Sequence, residues 1–256
     1  MKYLLPAMVG VVLLAGWEIL VRVAELPPYL LPGPIAIARA LAADWDSLFA
    51  SLLVTLKVTF LALAAAIIGG GGLAILFAQS RLLERSLFPY AVILQVTPIV
   101  AISPLILIYV RDTTLALLIC AWIVAFFPVL SNTALGLRSA DHGLVDLMRL
   151  YGAGRWQILW RLRLPAAMPY FLAGLRVAGG LSLIGAVVAE FTAGTATAGS
   201  GLAYRILESG YRLDIPRMYA ALALLSVTGI AIYAALGLLS WLILRSWHES
   251  AITPDA

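Results

Sequence analysis

The chain has 256 residues, of which 63% are hydrophobic and 12% charged, and its mean hydropathy is +1.01. That leaves too little polar surface to cover a soluble globule, so the composition excludes a water-soluble enzyme or regulator and calls for an integral membrane protein. The net charge of +4 comes almost wholly from Arg, with Lys only at Lys2 and Lys57; in a membrane chain such an excess marks loops and docking surfaces rather than nucleic-acid binding.

Charge-free apolar runs give the expected spans. The first, about 3–21, carries Glu18 near one end. It resembles a signal peptide, with Lys2 ahead of an apolar core, but Ala15-Gly16-Trp17 is a poor cleavage site and an uncleaved helix is expected. The segment 25–50 holds Pro27-Pro28 and then Leu31-Pro32-Gly33-Pro34, which opens an amphipathic run to Phe49. This reads as an extended lead-in and an interfacial helix. Runs at 58–80, 86–110 and 113–137 each exceed the ~20 residues that a helix needs to cross the hydrocarbon. Gly69 to Gly72 lie inside the first of these, where small residues admit a close neighbour helix. Cys120 reads as a small buried hydrophobe. A fifth span at 166–190 contains Arg176 and closes on Glu190, and a sixth covers 218–244. Between these last two, 192–217 opens with Gly194, Gly199 and Gly201 and shows no apolar period, which predicts a flexible stretch or one folded on the outer mouth.

Six helices place both ends on one side. With the N-terminus cytoplasmic, inside positions hold Lys2, Arg81, Arg85, Arg138, Arg149, Arg155, Arg161, Arg163 and Arg245. Outside positions hold Arg22, Arg39, Arg111, Arg205, Arg212 and Arg217, mostly with acids nearby. The bias favours N-in and C-in, with the loop 138–165 in the cytoplasm.

That loop is the most distinctive stretch. In 146–165, DLMRLYGAGRWQILWRLRLP, Leu144, Leu147, Met148 and Tyr151 recur at helical spacing. Gly152 permits a turn that a side chain would strain, and 155–163 resumes a helix that Pro165 is expected to break. Two short helices at an angle form a knob suited to a groove in a soluble partner; an ordinary interfacial helix with a positive-inside cluster is the plainer reading. Its skeleton of Asp146, Gly152, then Leu162-x-Leu164-Pro165 resembles the E-A-A-x3-G-x9-I-x-L-P loop of ABC importer permease subunits. The Gly-to-Leu-Pro spacing matches without a gap, whereas Asp146-Leu147-Met148 stands for Glu-Ala-Ala and Leu162 for Ile. Further likeness lies in Leu31-Pro32-Gly33-Pro34, in the Pro-rich third span from Val96 to Leu105, in Gly185-Ala186-Val187-Val188-Ala189-Glu190, and in Gly199-Ser200-Gly201-Leu202-Ala203-Tyr204.

The resemblance covers nearly the whole chain and points to the branch serving nitrate, sulfonate, taurine and thiamine-precursor or related heterocycle uptake. It implies an all-α, six-helix type I importer permease fold. It also implies a homodimer around one pore, two cytosolic ATPase subunits that bind ATP and Mg, and an external substrate-binding protein. Carried onto this sequence, Asp146, Gly152, Arg155, Leu162, Leu164 and Pro165 would form the ATPase-coupling dock of an alternating-access importer. The tail Arg245-Ser246-Trp247-His248-Glu249, and the lack of a cluster of pore cations, resemble the thiamine-precursor and riboflavin permeases more than the anion permeases.

Polar residues inside spans point to a pathway, because each is costly unless it meets water or a partner. Gln95, Thr97 and Ser103 surround Pro98 and Pro104, and Asn132 lies near Pro128; pore lining and helix-to-helix hydrogen bonding both fit them. Arg176 and Glu190 lie about 21 Å apart along a straight helix and cannot pair. Arg176 reads as a pore residue or a snorkelling anchor, Glu190 as a contact for the binding protein or the Gly-rich loop, and Glu18 as interfacial. The chain carries no phosphate-cradling loop, zinc spacing or nucleophile elbow, so no cofactor and no catalysis of its own are expected. A stand-alone secondary transporter or channel is the alternative. It would need intramembrane carboxylates or an inverted repeat, and only Glu18 and Glu190 lie near spans.

Overall fold

The computed structural model describes residues 4–194 and 200–245. Lys2, Gly199, Ser246, Trp247, His248 and Glu249, on which parts of the sequence reading rest, lie outside the described residues. The described structure is all-helical: α1 (Leu4–Val23), α2 (Pro34–Ala43), α3 (Trp45–Ala66), α4 (Gly72–Gln79), α5 (Arg81–Val96), α6 (Ile99–Tyr109), α7 (Thr113–Arg138), α8 (His142–Leu150), α9 (Arg155–Ile158), α10 (Leu164–Ala193), α11 (Leu202–Tyr211) and α12 (Ile215–Leu244). Two π-helical turns, Ile67–Gly71 and Leu159–Arg163, join α3 to α4 and α9 to α10. Among the described residues five helices are long and apolar enough to cross a bilayer: Leu4–Val23, Trp45–Gln79, Thr113–Arg138, Arg155–Ala193 and Ile215–Leu244. A sixth crossing is available if α5 and α6 count as one bent span.

The stretch 86–110 is therefore not one straight helix. α5 and α6 meet at 99°. Pro98 has no amide donor and its ring disfavours the helical conformation for the residue before it, and Thr97 and Pro98 are both extended, with ψ of 122° and 116°. Thr97 closes α5 by donating from its amide to the Ile93 carbonyl at 3.1 Å and from Oγ1 to the same oxygen at 2.7 Å. The Pro98 carbonyl then accepts from Ala101 at 3.0 Å and Ile102 at 3.3 Å to start α6.

The chain divides into two compact units. One comprises residues 1–55 and 194–228, the other 56–193 and 229–256. The larger unit is built on α7 and α10. In lipid no hydrophobic force drives two apolar helices together, so close backbone approach carries the packing. A Cβ at Gly174 would fall 2.7 Å from the Pro128 carbonyl oxygen, one at Gly185 2.8 Å from Ala121 Cα, and one at Gly136 2.8 Å from Ala167 Cα. Gly70, inside the first π-turn, approaches α7 in the same way: a Cβ there would fall 2.9 Å from the Phe126 carbonyl oxygen. Around this seam Phe77, Phe126, Leu130, Leu137 and Leu159 form one buried cluster.

In the smaller unit, 192–217 contains structure that its composition conceals. Leu202 to Tyr211 form the amphipathic α11, with Leu202, Ala203 and Ser209 buried. The Leu202 amide donates to Thr55 Oγ1 at 2.9 Å, and Arg205 Nε donates to Ser51 Oγ at 2.9 Å. Glu208 gathers Arg205 at 2.9 Å, Arg212 at 2.8 Å and Arg217 at 3.4 Å. Arg217 Nε also lies 3.0 Å from Asp44 Oδ2, an ion pair whose angle is too poor for a hydrogen bond. Glu18 does more than face an interface: it accepts from the Ile35 amide at 3.2 Å and so serves the N-terminus of α2, while pairing with Arg22 at 2.7 Å.

Candidate functional site

The loop between α7 and α10 folds into a knob, and local chemistry explains each part. Asp141 caps α8, its Oδ1 accepting from the amides of Gly143 at 2.6 Å and Leu144 at 3.3 Å. At the other end Gly152 has φ of +75°. Its amide donates to the Arg149 carbonyl at 2.9 Å, and the Ala153 amide to the Met148 carbonyl at 2.9 Å. These crossed bonds form a Schellman closure, which requires a left-handed residue where Gly152 stands. The Gly154 amide then donates to Gln157 Oε1 at 2.8 Å, which starts α9.

The expectation that Pro165 breaks the second helix is not met. Helix continues from Arg155 to Ala193 through the π-turn Leu159–Arg163. Pro165 removes the donor that would bond the carbonyl of Arg161, and the widened turn surrounds that carbonyl, so the lost bond is absorbed without ending the helix.

The knob has an inner and an outer face. Ala140, Val145 and Ile158 are buried together, with Met148, Ala153, Leu162 and Ala166 packed on them. Outward stand Leu144, Leu147, Leu150, Tyr151, Trp156 and Trp160, with Leu150 and Tyr151 each 85% exposed. The sequence reading grouped Leu144, Leu147, Met148 and Tyr151 on one face; Met148 turns inward, and Leu150, Trp156 and Trp160 join the outer face. The Trp-x3-Trp spacing at helical period was the signal for the last two. Asp146 pairs with Arg149 at 3.1 Å with both side chains largely exposed, and Arg155 and Pro165 are exposed as well. Leu162 and Leu164 are half-buried; Leu162 lies under the knob and Leu164 against the cluster containing Leu137 and Leu159.

The knob is rigidly joined to the spans. Arg163 Nη1 donates to the Ala78 carbonyl at 3.1 Å, tying the start of α10 to the end of α4. Arg138, at the end of α7, pairs with Glu84 on α5.

The intramembrane candidates do not converge on one place. Gln95 and Thr97 line a cavity of about 310 Å³ at the α5–α6 bend, with Pro98, Val124, Pro128 and Leu181. Ser103 is buried and its Oγ lies 2.9 Å from Thr192 Oγ1, which joins α6 to α10 by a hydrogen bond. Asn132 Nδ2 donates to the Pro128 carbonyl of its own helix at 2.8 Å, and its Cβ fills the space beside Gly174. Glu190 is 4% exposed within the buried face of α10. Arg176 lines a separate cavity of about 300 Å³ between α10 and α12 with Ser240 and Trp241, its guanidinium 5.5 Å from the Tyr233 ring centre.

Residues 66–252, well over half of the chain, match the family described as "Binding-protein-dependent transport system inner membrane component". The chain is 32% identical over 245 residues to the formylaminopyrimidine transport permease protein ThiX of Halalkalibacterium halodurans, covering 95% of this chain and 96% of that protein. It is 33% identical over 245 residues to the riboflavin transport system permease protein RibX of Chloroflexus aurantiacus, covering 93% and 88%. Against the taurine transport system permease protein TauC of Escherichia coli it is 29% identical over 240 residues, covering 89% and 83%. A crystal structure of an amino acid ABC transporter with histidines shares the fold at a TM-score of 0.64 and 20% identity, covering 78% of this chain and 95% of that one.

Proposed function

Since this chain belongs to the family of binding-protein-dependent transport system inner membrane components, and is an ABC importer permease subunit, we propose that it works as one half of a homodimeric pore coupled to ATP through its knob. ATP is bound with Mg and hydrolysed by two separate cytosolic subunits, each taking one knob, and an external binding protein delivers the solute. The N- and C-termini then face the cytoplasm, together with the loop 138–165. The substrate class is a pyrimidine thiamine precursor or a riboflavin-like heterocycle, in line with the relatives named for formylaminopyrimidine and riboflavin; a sulfonate, nitrate or taurine-type anion is the second class.

The observation that carries this reading is the outer face of the knob. Large apolar side chains stand exposed on a helix capped at both ends, which supports a groove in a soluble partner as their seat. Closure of the ATPase subunits would draw two knobs together. Because α9, the π-turn and α10 run as one helix, that movement would enter the span holding Arg176 and Glu190 directly. Gln95 and Thr97, at the bend, are the residues best placed to meet a passing solute.

The test is reconstitution in proteoliposomes with the ATPase and binding protein, reading hydrolysis and uptake with formylaminopyrimidine, riboflavin and taurine. Hydrolysis stimulated by one loaded binding protein supports the importer and names its class. Failure of a well-folded chain to associate with any ATPase would favour a stand-alone transporter. Gly152→Val should cut uptake at least about tenfold while the protein still inserts, because a left-handed β-branched residue costs about 1–2 kcal/mol and opens the Schellman closure; unchanged uptake would reject the knob as the coupling element.

A further inference from the structure

A cavity of about 640 Å³ opens beside the knob, where α4 and α7 end and α5 begins. Its rim carries the guanidinium-bearing residues Arg81, Arg85, Arg138 and Arg163 against a single carboxylate, Glu84. Two of the four have partners: Arg138 holds Glu84, and Arg163 donates to the Ala78 carbonyl. Phe77, Phe88 and Pro89 form its apolar side. The remaining pair, Arg81 and Arg85, is placed against the electrostatics of its own helix. Arg81 is the first residue of α5 and Arg85 follows one turn later, so two like charges at i and i+4 share one face and both sit at the positive end of the helix dipole. Glu84 offsets part of this and is already engaged by Arg138. Four cations therefore meet around one cavity, at the level where two spans end, with a greasy wall beside them.

We propose that this cavity is a binding site for an anionic phospholipid. The phosphodiester would lie among the guanidiniums, where charge-assisted bidentate hydrogen bonds suit Arg and phosphate, and an acyl chain would run along Phe88 and Pro89. Basic pockets between spans at the membrane surface suit acidic headgroups. The volume falls in the range of small-ligand pockets. A free phosphate shares the headgroup chemistry but has no use for the apolar wall, which is what selects the lipid. Occupancy would pin the start of α5 to the end of α7 and so stiffen the scaffold on which the knob stands.

Native mass spectrometry of the detergent-purified permease, with phosphatidylglycerol, cardiolipin or phosphatidylcholine added, tests this. The anionic lipids should be retained at least about tenfold better than phosphatidylcholine. Arg81→Gln with Arg85→Gln should abolish that preference, Arg85→Lys should keep most of it, and Arg245→Gln, which removes one positive charge elsewhere, should leave it intact. Equal retention of all three lipids, or an equal loss in Arg245→Gln, would overturn the site. So would displacement of the lipid by an equal concentration of inorganic phosphate. Expulsion of the lipid on adding the ATPase subunit would also overturn it, by making the arginines a protein contact instead. A double variant that fails to stay monodisperse is replaced by Arg85→Gln alone, for which an unchanged preference counts against the proposal.

Discussion

α8 and α11 are both short amphipathic helices set between spans, and they handle their surfaces in opposite ways. On α11 and the start of α12 the charges are turned upon one another: Glu208 holds Arg205, Arg212 and Arg217, and α11 is fastened to α3 through Ser51 and Thr55. On α8 the ion pair of Asp146 with Arg149 is exposed, and among the described residues the apolar side chains of the outer face are largely uncovered. The charges of α11 are largely paired within its own unit, whereas α8 leaves Leu144, Leu147 and Leu150 exposed, a surface that a partner could cover. Amphipathicity alone does not separate the two; what the polar atoms touch does.

The contrast can be broken most sharply at the knob. Leu150→Asp with Trp156→Asp should weaken ATPase association about 100-fold, near 2.7 kcal/mol, as expected for central anchors of an interface, and should leave the melting temperature unchanged. Surface plasmon resonance and a thermal melt on the same sample check both halves; a large loss of stability would make these residues structural.

A smaller effect is expected at Glu208. The hydrogen bond from Arg205, helped by the nearby charges of Arg205, Arg212 and Arg217, holds its carboxyl below the usual carboxylate range. The unfolded chain takes up the proton first as pH falls, so the stabilisation is fully present above the ordinary carboxylate value and disappears as pH drops through the lower folded value. Melting temperatures should decline across that acid window in the native chain and decline less in Glu208→Gln; identical slopes would show that the network does not hold α11.

The smallest effect belongs to Asp146→Asn. An exposed i, i+3 pair contributes at most about 0.5 kcal/mol, so stability should barely change. ATPase stimulation should stay within about twofold unless the carboxylate itself contacts the partner, which a larger loss would reveal.

The all-helical membrane fold and the turn at Gly152 were legible because hydropathy and glycine report directly on what backbone and lipid permit. The bend at Thr97 was not, since 86–110 is an unbroken charge-free run; hydropathy measures partition and carries no direction, and Pro98 reads equally as a kink or a break. α11 escaped notice because Gly194, Gly199 and Gly201 colour the composition of 192–217, although Arg205, Glu208 and Arg212 beyond them stand at the i, i+3 and i, i+4 spacings of a helix. Ser103 and Asn132 belong to the same class: a polar residue in a span looks alike in sequence whether it meets a solute or the protein, and here Ser103 bonds Thr192 on α10 while Asn132 bonds the Pro128 carbonyl of its own helix.

The seam between α7 and α10 works as a keyed joint. Gly136, Gly174 and Gly185 each accept a bump from the opposite helix at a distance no added methyl could share. The registration points on α7 run from Ala121 to Gly136, roughly 22 Å of axis. Axial slip by even one residue would lift every bump from its notch at once, so the two helices resist gliding far more than they resist tilting together. Force applied at the knob would therefore reach the apolar interior as the swing of a single lever of fixed length.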